Sequence, residues 1–272
     1  MQSRAENVDR ATLLERCADS VGDALARRVT RTPDKEAFRY PADRTSENPE
    51  WHSISWAETQ ELAHQAAAGF LALGLRPEQR VTICGTTRIE WIIADLGINC
   101  AAGATTTIYP NTAPEDMWYI IEDSDTVILV AEDEKQVAKL AGSELKLNHI
   151  IVFDNADQCD DERVISWSEF LKTGQAELAK NPECVTDAIA LTAHDTLATL
   201  IYTSGTTGRP KGVELRHLSW VYEGVAMRSL HIIEDDSLQY LWLPLSHVFG
   251  KCLIAVQLEI GFASAVDGRI DR

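Results

Sequence analysis

Short apolar runs that alternate with helix-period segments between Arg80 and Phe153 constrain this chain more than any other feature. The runs fall at Val81–Cys84, Thr105–Tyr109, Thr126–Ala131 and His149–Phe153. The stretches between them, Ile89–Cys100, Pro114–Glu122 and Glu134–Leu140, carry apolar residues at helical spacing. Strands that recur only after an intervening helix build βαβ units, so the expected fold class is α/β with a parallel sheet. Ser55 with Glu58 predicts a capping box opening a helix that reaches Leu73, with Gly74 and Pro77 as its stop. Thr112 with Glu115 predicts a second box, with Pro114 in the first turn. Helical periodicity over residues 11–30, then strands at Ala37–Tyr40 and Trp51–Trp56, reads as an N-terminal arm. The expected organisation is therefore an arm over residues 1–79, packed on an α/β domain over 80–272. Asp154–Arg163 reads as a surface loop, Val248–Ile260 as a helix and Phe262–Val266 as a strand.

The chemistry concentrates in residues 202–213, Tyr-Thr-Ser-Gly-Thr-Thr-Gly-Arg-Pro-Lys-Gly-Val, where three glycines, four aliphatic hydroxyls and one lysine share twelve residues. The preceding run from Thr196 to Tyr202 reads as a buried strand and Arg216 onward as a helix. The glycines are thus expected on a strand-to-helix turn, where backbone N–H groups point at an anion. Gly205, Gly208 and Gly212 allow φ > 0 and close backbone approach. Thr203, Ser204, Thr206 and Thr207 offer hydroxyl donors, and Lys211 offers a point charge. The Walker pattern does not fit, because Lys211 is followed by Gly212 and preceded by Pro210. A flexible surface loop is the plainer alternative, but it requires neither the flanking apolar strand nor a lysine in fixed register.

Composition limits the partners. A formal net charge of −17 opposes binding to nucleic acid or to anionic headgroups. It also means that a bound phosphate group needs local help, from Lys211, backbone amides and a metal ion, against the long-range field. The six cysteines are scattered, with no C-x-x-C pair and no metal-like cluster, which implies reduced thiols; Cys84 and Cys100 fall in apolar patterns and are expected to be buried. No apolar run approaches the roughly 20 residues of a membrane span, and the N-terminus has no apolar signal core, so the expected location is the cytoplasm.

Residues 202–213 resemble the phosphate-binding signature of the adenylate-forming superfamily, which includes acyl-CoA synthetases, luciferases and the adenylation domains of peptide synthetases. Leu241-Trp-Leu-Pro-Leu-Ser-His-Val-Phe-Gly250 resembles the segment that follows this loop, and with Gly103–Ser124 it is most similar to the long-chain fatty acyl-CoA synthetases. The resemblance implies the first part of the N-terminal AMP-binding domain. It implies a two-step reaction using ATP, Mg²⁺ and coenzyme A: a fatty acid carboxylate attacks the α-phosphorus of ATP, and the coenzyme A thiol then displaces AMP. Lys211, Thr206 and His247 are the implied catalytic residues, with Thr203, Ser204, Gly205, Thr207, Gly208 and Gly212 completing the phosphate cradle. His247 is implied beside the reacting carboxylate, with helix capping as its plainer role. Trp242, Val248 and Phe249 are candidates for an acyl tunnel, with plain core as the alternative. No residue is assigned as a metal ligand. Arg209 and Glu214 are read as solvated, His217 as the opening of a helix, and Trp91, Trp118 and Tyr119 as core.

The family's Tyr-Gly-x-Thr-Glu stretch, its Thr-Gly-Asp motif and the lysine of its small C-terminal domain are absent from these residues. The expectation is roughly the first half of a ligase, not competent alone. The alternatives are a non-catalytic ATP-binding fragment, half of a split enzyme that needs a complementing C-terminal polypeptide, or an enzyme for medium-chain, aryl or amino acids. Peripheral membrane contact is left open.

Overall fold

In a computed structural model, which describes residues 8–203 and 208–269, two sheets share one interior. The chain opens with helices α1 (Arg10–Arg16) and α2 (Val21–Arg31), strands β1 (Glu36–Pro41) and β2 (Trp51–Ser55), and the long helix α3 (Trp56–Ala72). The alternating region follows as β3 (Arg80–Cys84), α4 (Ile89–Cys100), β4 (Ala104–Ile108), α5 (Pro114–Asp123), β5 (Thr126–Ala131), α6 (Glu134–Ala138) and β6 (His149–Val152). Next come β7 (Val164–Ser166), α7 (Trp167–Lys180), α8 (Cys184–Ile189), β8 (Leu197–Thr203), β9 (Lys211–Arg216), α9 (His217–Ser229), β10 (Leu238–Leu241), α10 (Val248–Ile260) and β11 (Ala263–Val266).

The larger sheet has strand order β7-β6-β5-β3-β4-β8-β9, parallel throughout except for the antiparallel β8–β9 pair. Its central strands bury both faces. In β5, Ile128 and Val130 join the core beneath α3 and α4, while Leu129 and Ala131 join the core beneath α5. That double burial explains why these runs are continuously apolar rather than alternating. The smaller sheet, β10-β11-β1-β2, pairs β1 in parallel with β11, so the start of the chain shares a sheet with residues 263–266.

Local signals explain most boundaries. The Ser55 hydroxyl accepts from the Glu58 N–H at 3.2 Å while Glu58 accepts from the Ser55 N–H at 2.7 Å, which is the expected capping box. Gly74 stops the helix with φ +84°, in the left-handed region. The second box does not form: α5 is capped by Ala113 without a side-chain bond, because the Thr112 N–H closes a turn onto Tyr109 and Pro114 alone sets the first turn. The 11–30 periodicity splits into two helices at residues 17–20, where Ser20 caps α2 by accepting from the Asp23 N–H. Residues 164–194 add β7, α7 and α8, which the sequence reading left unassigned; α7 packs so closely on α3 that a Cβ at Gly174 would overlap the Gln65 carbonyl. Cys84 and Cys100 are buried and all six cysteines are free; burial pushes both thiols up to about 12. Among the described residues, no helix is long and apolar enough to cross a membrane.

Candidate active site

Parallel strands deliver their carboxyl ends to one edge of a sheet, and crevices outside that edge are the usual ligand sites of α/β folds. Here β4 and β8 are neighbours, so Ile108-Tyr109 and Tyr202-Thr203 emerge side by side. The segment before α10 docks across them. The Thr107 hydroxyl donates to the Ser246 carbonyl at 2.9 Å, and the Ser246 hydroxyl donates to the Ile108 carbonyl at 3.0 Å. Together these elements enclose a cleft of about 340 Å³ lined by Tyr109, Ile201, Tyr202, Thr203, Val213, Leu215, His247 and Val248.

The glycine-rich run departs from its expected setting. It does not join a strand to a helix: it spans the tip of the β8–β9 hairpin, with Thr203 and Lys211 paired across the ladder. Residues 211–216 remain extended because Gly212 to Arg216 pair antiparallel with β8, and the helix begins only at His217. Ser204, Gly205, Thr206 and Thr207 lie outside the described residues. Thr203 and Lys211 are exposed at the mouth of the hairpin. Gly208 takes φ +141°, as the cradle reading expects. Gly212 does not have positive φ; its lack of a side chain serves packing, since a Cβ there would meet the Tyr202 ring at 3.1 Å.

His247 is the N-cap of α10, its Nδ1 accepting from the Phe249 N–H at 3.2 Å, and its exposed ring reaches the cleft. Capping and cleft lining therefore coexist in one side chain. Val248 joins it in the lining. Trp242 (46% exposed) and Phe249 (56% exposed) lie outside the cleft lining and are not core either. Glu214 is exposed, and His217 does open its helix but is wholly buried.

The hairpin is also tied to α5. The Tyr202 hydroxyl donates to Asp123 at 2.6 Å, the Tyr119 hydroxyl donates to the same carboxylate at 3.3 Å, and the Arg209 guanidinium lies 5.0 Å over the Tyr119 ring. Arg209 is exposed, as read, with the Tyr119 ring beneath its guanidinium, and Tyr119 is partly buried against the core beneath α5 while its hydroxyl reaches Asp123. Of the three aromatics read as core, Trp91 is fully buried, and Trp118 is part-buried with its indole N–H on the Lys139 carbonyl. Burial first, and then the hydrogen bond to Asp123, hold the Tyr202 phenol above its ordinary range. Sequence reasoning did not assign Tyr109, Tyr202, Tyr119 or Asp123 to the site; the only available signal was the phenol-bearing ends of two strands, and nothing in sequence says that those strands are adjacent.

Among the described residues, no group of three His, Cys, Asp or Glu side chains could hold a metal ion. The cleft lining offers the Tyr109, Tyr202 and Thr203 hydroxyls and the His247 imidazole, and Lys211 stands at the hairpin mouth outside that lining.

The description "AMP-binding enzyme" belongs to the family whose profile matches residues 25–267. A long-chain-fatty-acid–CoA ligase, ACSBG2 of Xenopus laevis, is 32% identical over 235 residues, covering 83% of this chain and 31% of the relative. Another, FadD15 of Mycobacterium bovis, is 30% identical over 225 residues, covering 79% and 36%. The chain therefore spans about a third of the length of these relatives. The anthranilate CoA ligase AuaEII in complex with anthranoyl-AMP superposes with a TM-score of 0.76 at 18% identity, over 94% of this chain and 46% of that one. A fatty acyl CoA synthetase from Mycobacterium tuberculosis gives 0.67 at 18%, over 90% and 44%. At such identities the superpositions establish the shared fold alone.

Proposed function

The chain belongs to the AMP-binding enzyme family, and on that premise we propose that it forms the phosphate-holding part of a long-chain fatty acid–CoA ligase. What carries the reading is one coincidence. The hairpin mouth with Thr203 and Lys211 opens at the same sheet edge as His247, at the carboxyl ends of β4 and β8. The ligase names of the relatives support the substrate class.

In this reading a carboxylate oxygen of the fatty acid attacks the α-phosphorus of ATP. The bond to the β,γ-diphosphate breaks, and its electron pair leaves with pyrophosphate. Negative charge moves toward the β,γ-oxygens as that bond breaks. Lys211 and the hydroxyls of Thr203, Ser204, Thr206 and Thr207 are the donors for that charge in this reading, and donors aimed at developing charge lower the barrier. Gly205, Gly208 and Gly212 keep side chains out of the way of the backbone. His247 orients the reacting carboxylate at the α10 N-terminus, and Val248 begins the apolar wall for the acyl chain, with Trp242 and Phe249 contributing only if the acyl chain extends over that face. The thiol sulfur of coenzyme A then attacks the acyl carbonyl carbon and AMP leaves. Mg²⁺, when bound with ATP, would supply further positive charge to the phosphates that Lys211 and these hydroxyls hold.

The chain acts together with a polypeptide that carries the remaining family elements, joined to it or separate; without that partner it is an ATP-holding unit that does not turn over. The setting is cytoplasmic, with peripheral contact where lipid substrate is delivered. The proposed domain division is an arm over 1–79 and the AMP-binding region over 80–272. Lys211→Ala is the test. The folded variant is expected to lose Mg²⁺-ATP binding in titration calorimetry, and unchanged affinity would refute the cradle.

A further inference from the structure

Behind the cleft the interior holds an ion pair that packing alone does not require. Lys251 is 5% exposed, yet its ammonium donates to Asp95 Oδ1 at 2.6 Å and to the Thr199 hydroxyl at 2.9 Å. Asp95 Oδ1 also accepts from the Thr105 hydroxyl at 2.6 Å. The indole rings of Trp91 and Trp220 lie 5.8 and 5.2 Å from the ammonium. Burial pulls the Lys251 pKa down, and the Asp95 charge opposes that pull. An apolar residue would bury this face of α10 without that penalty. Buried pairs contribute little net stability, and their best-attested use is to select one geometry.

The geometry selected here is that of the cleft. Lys251 stands one helical turn after His247, and its N–H bonds the His247 carbonyl at 3.3 Å. Thr199 stands four residues before Thr203 on β8, and Thr105 two residues before Thr107, whose hydroxyl holds the Ser246 carbonyl. One carboxylate and one ammonium thus join α4, β4, β8 and α10, and β4, β8 and α10 lead to Tyr109, Thr203 and His247 in the cleft lining. We infer that Asp95, Lys251 and Thr199 are positioning residues that set His247 and Thr203 relative to one another. The functional part of this inference rests on the reading of the cleft as the ATP and acyl-adenylate site; the geometric part does not.

The first arm of the test needs no ligand. Asp95→Leu combined with Lys251→Met replaces the pair with apolar groups and leaves no orphan charge, so a folded protein is expected. In the imidazole NMR spectrum of the unliganded chain, the His247 resonances are expected to shift or split, while those of His52 and His149, remote from the pair, stay in place. An unmoved His247 in the folded double variant overturns the inference. Thr199→Val should move His247 in the same direction, and Thr199→Ser, which restores the hydroxyl, should bring it back.

The second arm measures Mg²⁺-ATP affinity with and without His247→Ala. The double variant is expected to weaken binding about tenfold, and by less than about twofold once His247 is alanine, because a misplaced group costs affinity only where it is used. Equal loss in both backgrounds would mean a merely structural pair and overturn the inference. Absence of Mg²⁺-ATP binding by the unaltered chain, with His247 still answering to the pair, would instead remove the proposed function and leave the positioning role standing.

Discussion

The rim of the cleft and the floor beneath it use the same residue types in opposite ways. At the rim, Lys211, Thr203 and His247 are exposed and lie where strands and a helix begin or end. In the floor, Lys251 and Thr199 are buried further along α10 and β8, and Thr105 and His217 are buried on β4 and α9, each with a named partner. Burial turns a lysine from a mobile point charge into a fixed joint, because in a low-dielectric interior an unpaired ammonium is prohibitively costly. The rim can therefore be altered at little structural cost, whereas the floor cannot be altered one group at a time.

The largest expected effect breaks the floor. Lys251→Ala leaves Asp95 buried and uncompensated, and should destabilise the fold by about 3–5 kcal/mol in urea unfolding, whereas the apolar double replacement should stay near or above the parent. A single variant as stable as the double one would place this floor in the same class as the rim.

Next in size is a pH dependence. His217 is buried at the head of α9, its Nδ1 accepting from the Val21 N–H at 3.2 Å. Burial first, then the Lys251 and His194 charges, lower its pKa from 6.5 to about 4. Between those values the unfolded chain binds the extra proton, so stability rises with pH. The contribution, up to about 3 kcal/mol, is fully present above about pH 6.5 and lost as pH falls toward 4. Urea midpoints at stepped pH should show this slope, and it should flatten in His217→Gln.

Thr107→Val probes the junction of floor and rim. It removes the bond to the Ser246 carbonyl and should cost about 1 kcal/mol in thermal unfolding, while loosening His247. The smallest stability effect belongs to the rim: Lys211→Ala should change unfolding by no more than about 0.5 kcal/mol even as Mg²⁺-ATP binding disappears. A large loss of stability there would erase the contrast.

Legibility followed the same division. Strands β3 to β6 and helices α4 and α10 were readable because short buried runs of strand length and longer apolar segments of helix length follow one another along the chain, and the Ser55–Glu58 box because its partners are three residues apart. The Thr112–Glu115 box failed where a competing local turn and a proline met the same need. The hairpin after β8 was misread because Gly212–Arg216 has a strand's extended pairing only once β8 is present to receive it. The tie between Tyr202 and Asp123 escaped notice because the two are 79 residues apart.

By itself the amino-acid sequence determined the parallel α/β class, the family signature at 202–213 and the acidic charge that leaves phosphate binding to local donors, because periodicity, composition and short-range chemistry are properties of neighbours along the chain. Only the tertiary structure decided that β4 and β8 lie side by side, that His247 faces Thr203 across a cleft, and that Lys251, read in sequence as one more residue of a helix, is locked to Asp95. Those outcomes depend on which strands pair and which charges lose their water, and desolvation and strand order are set by the whole fold at once.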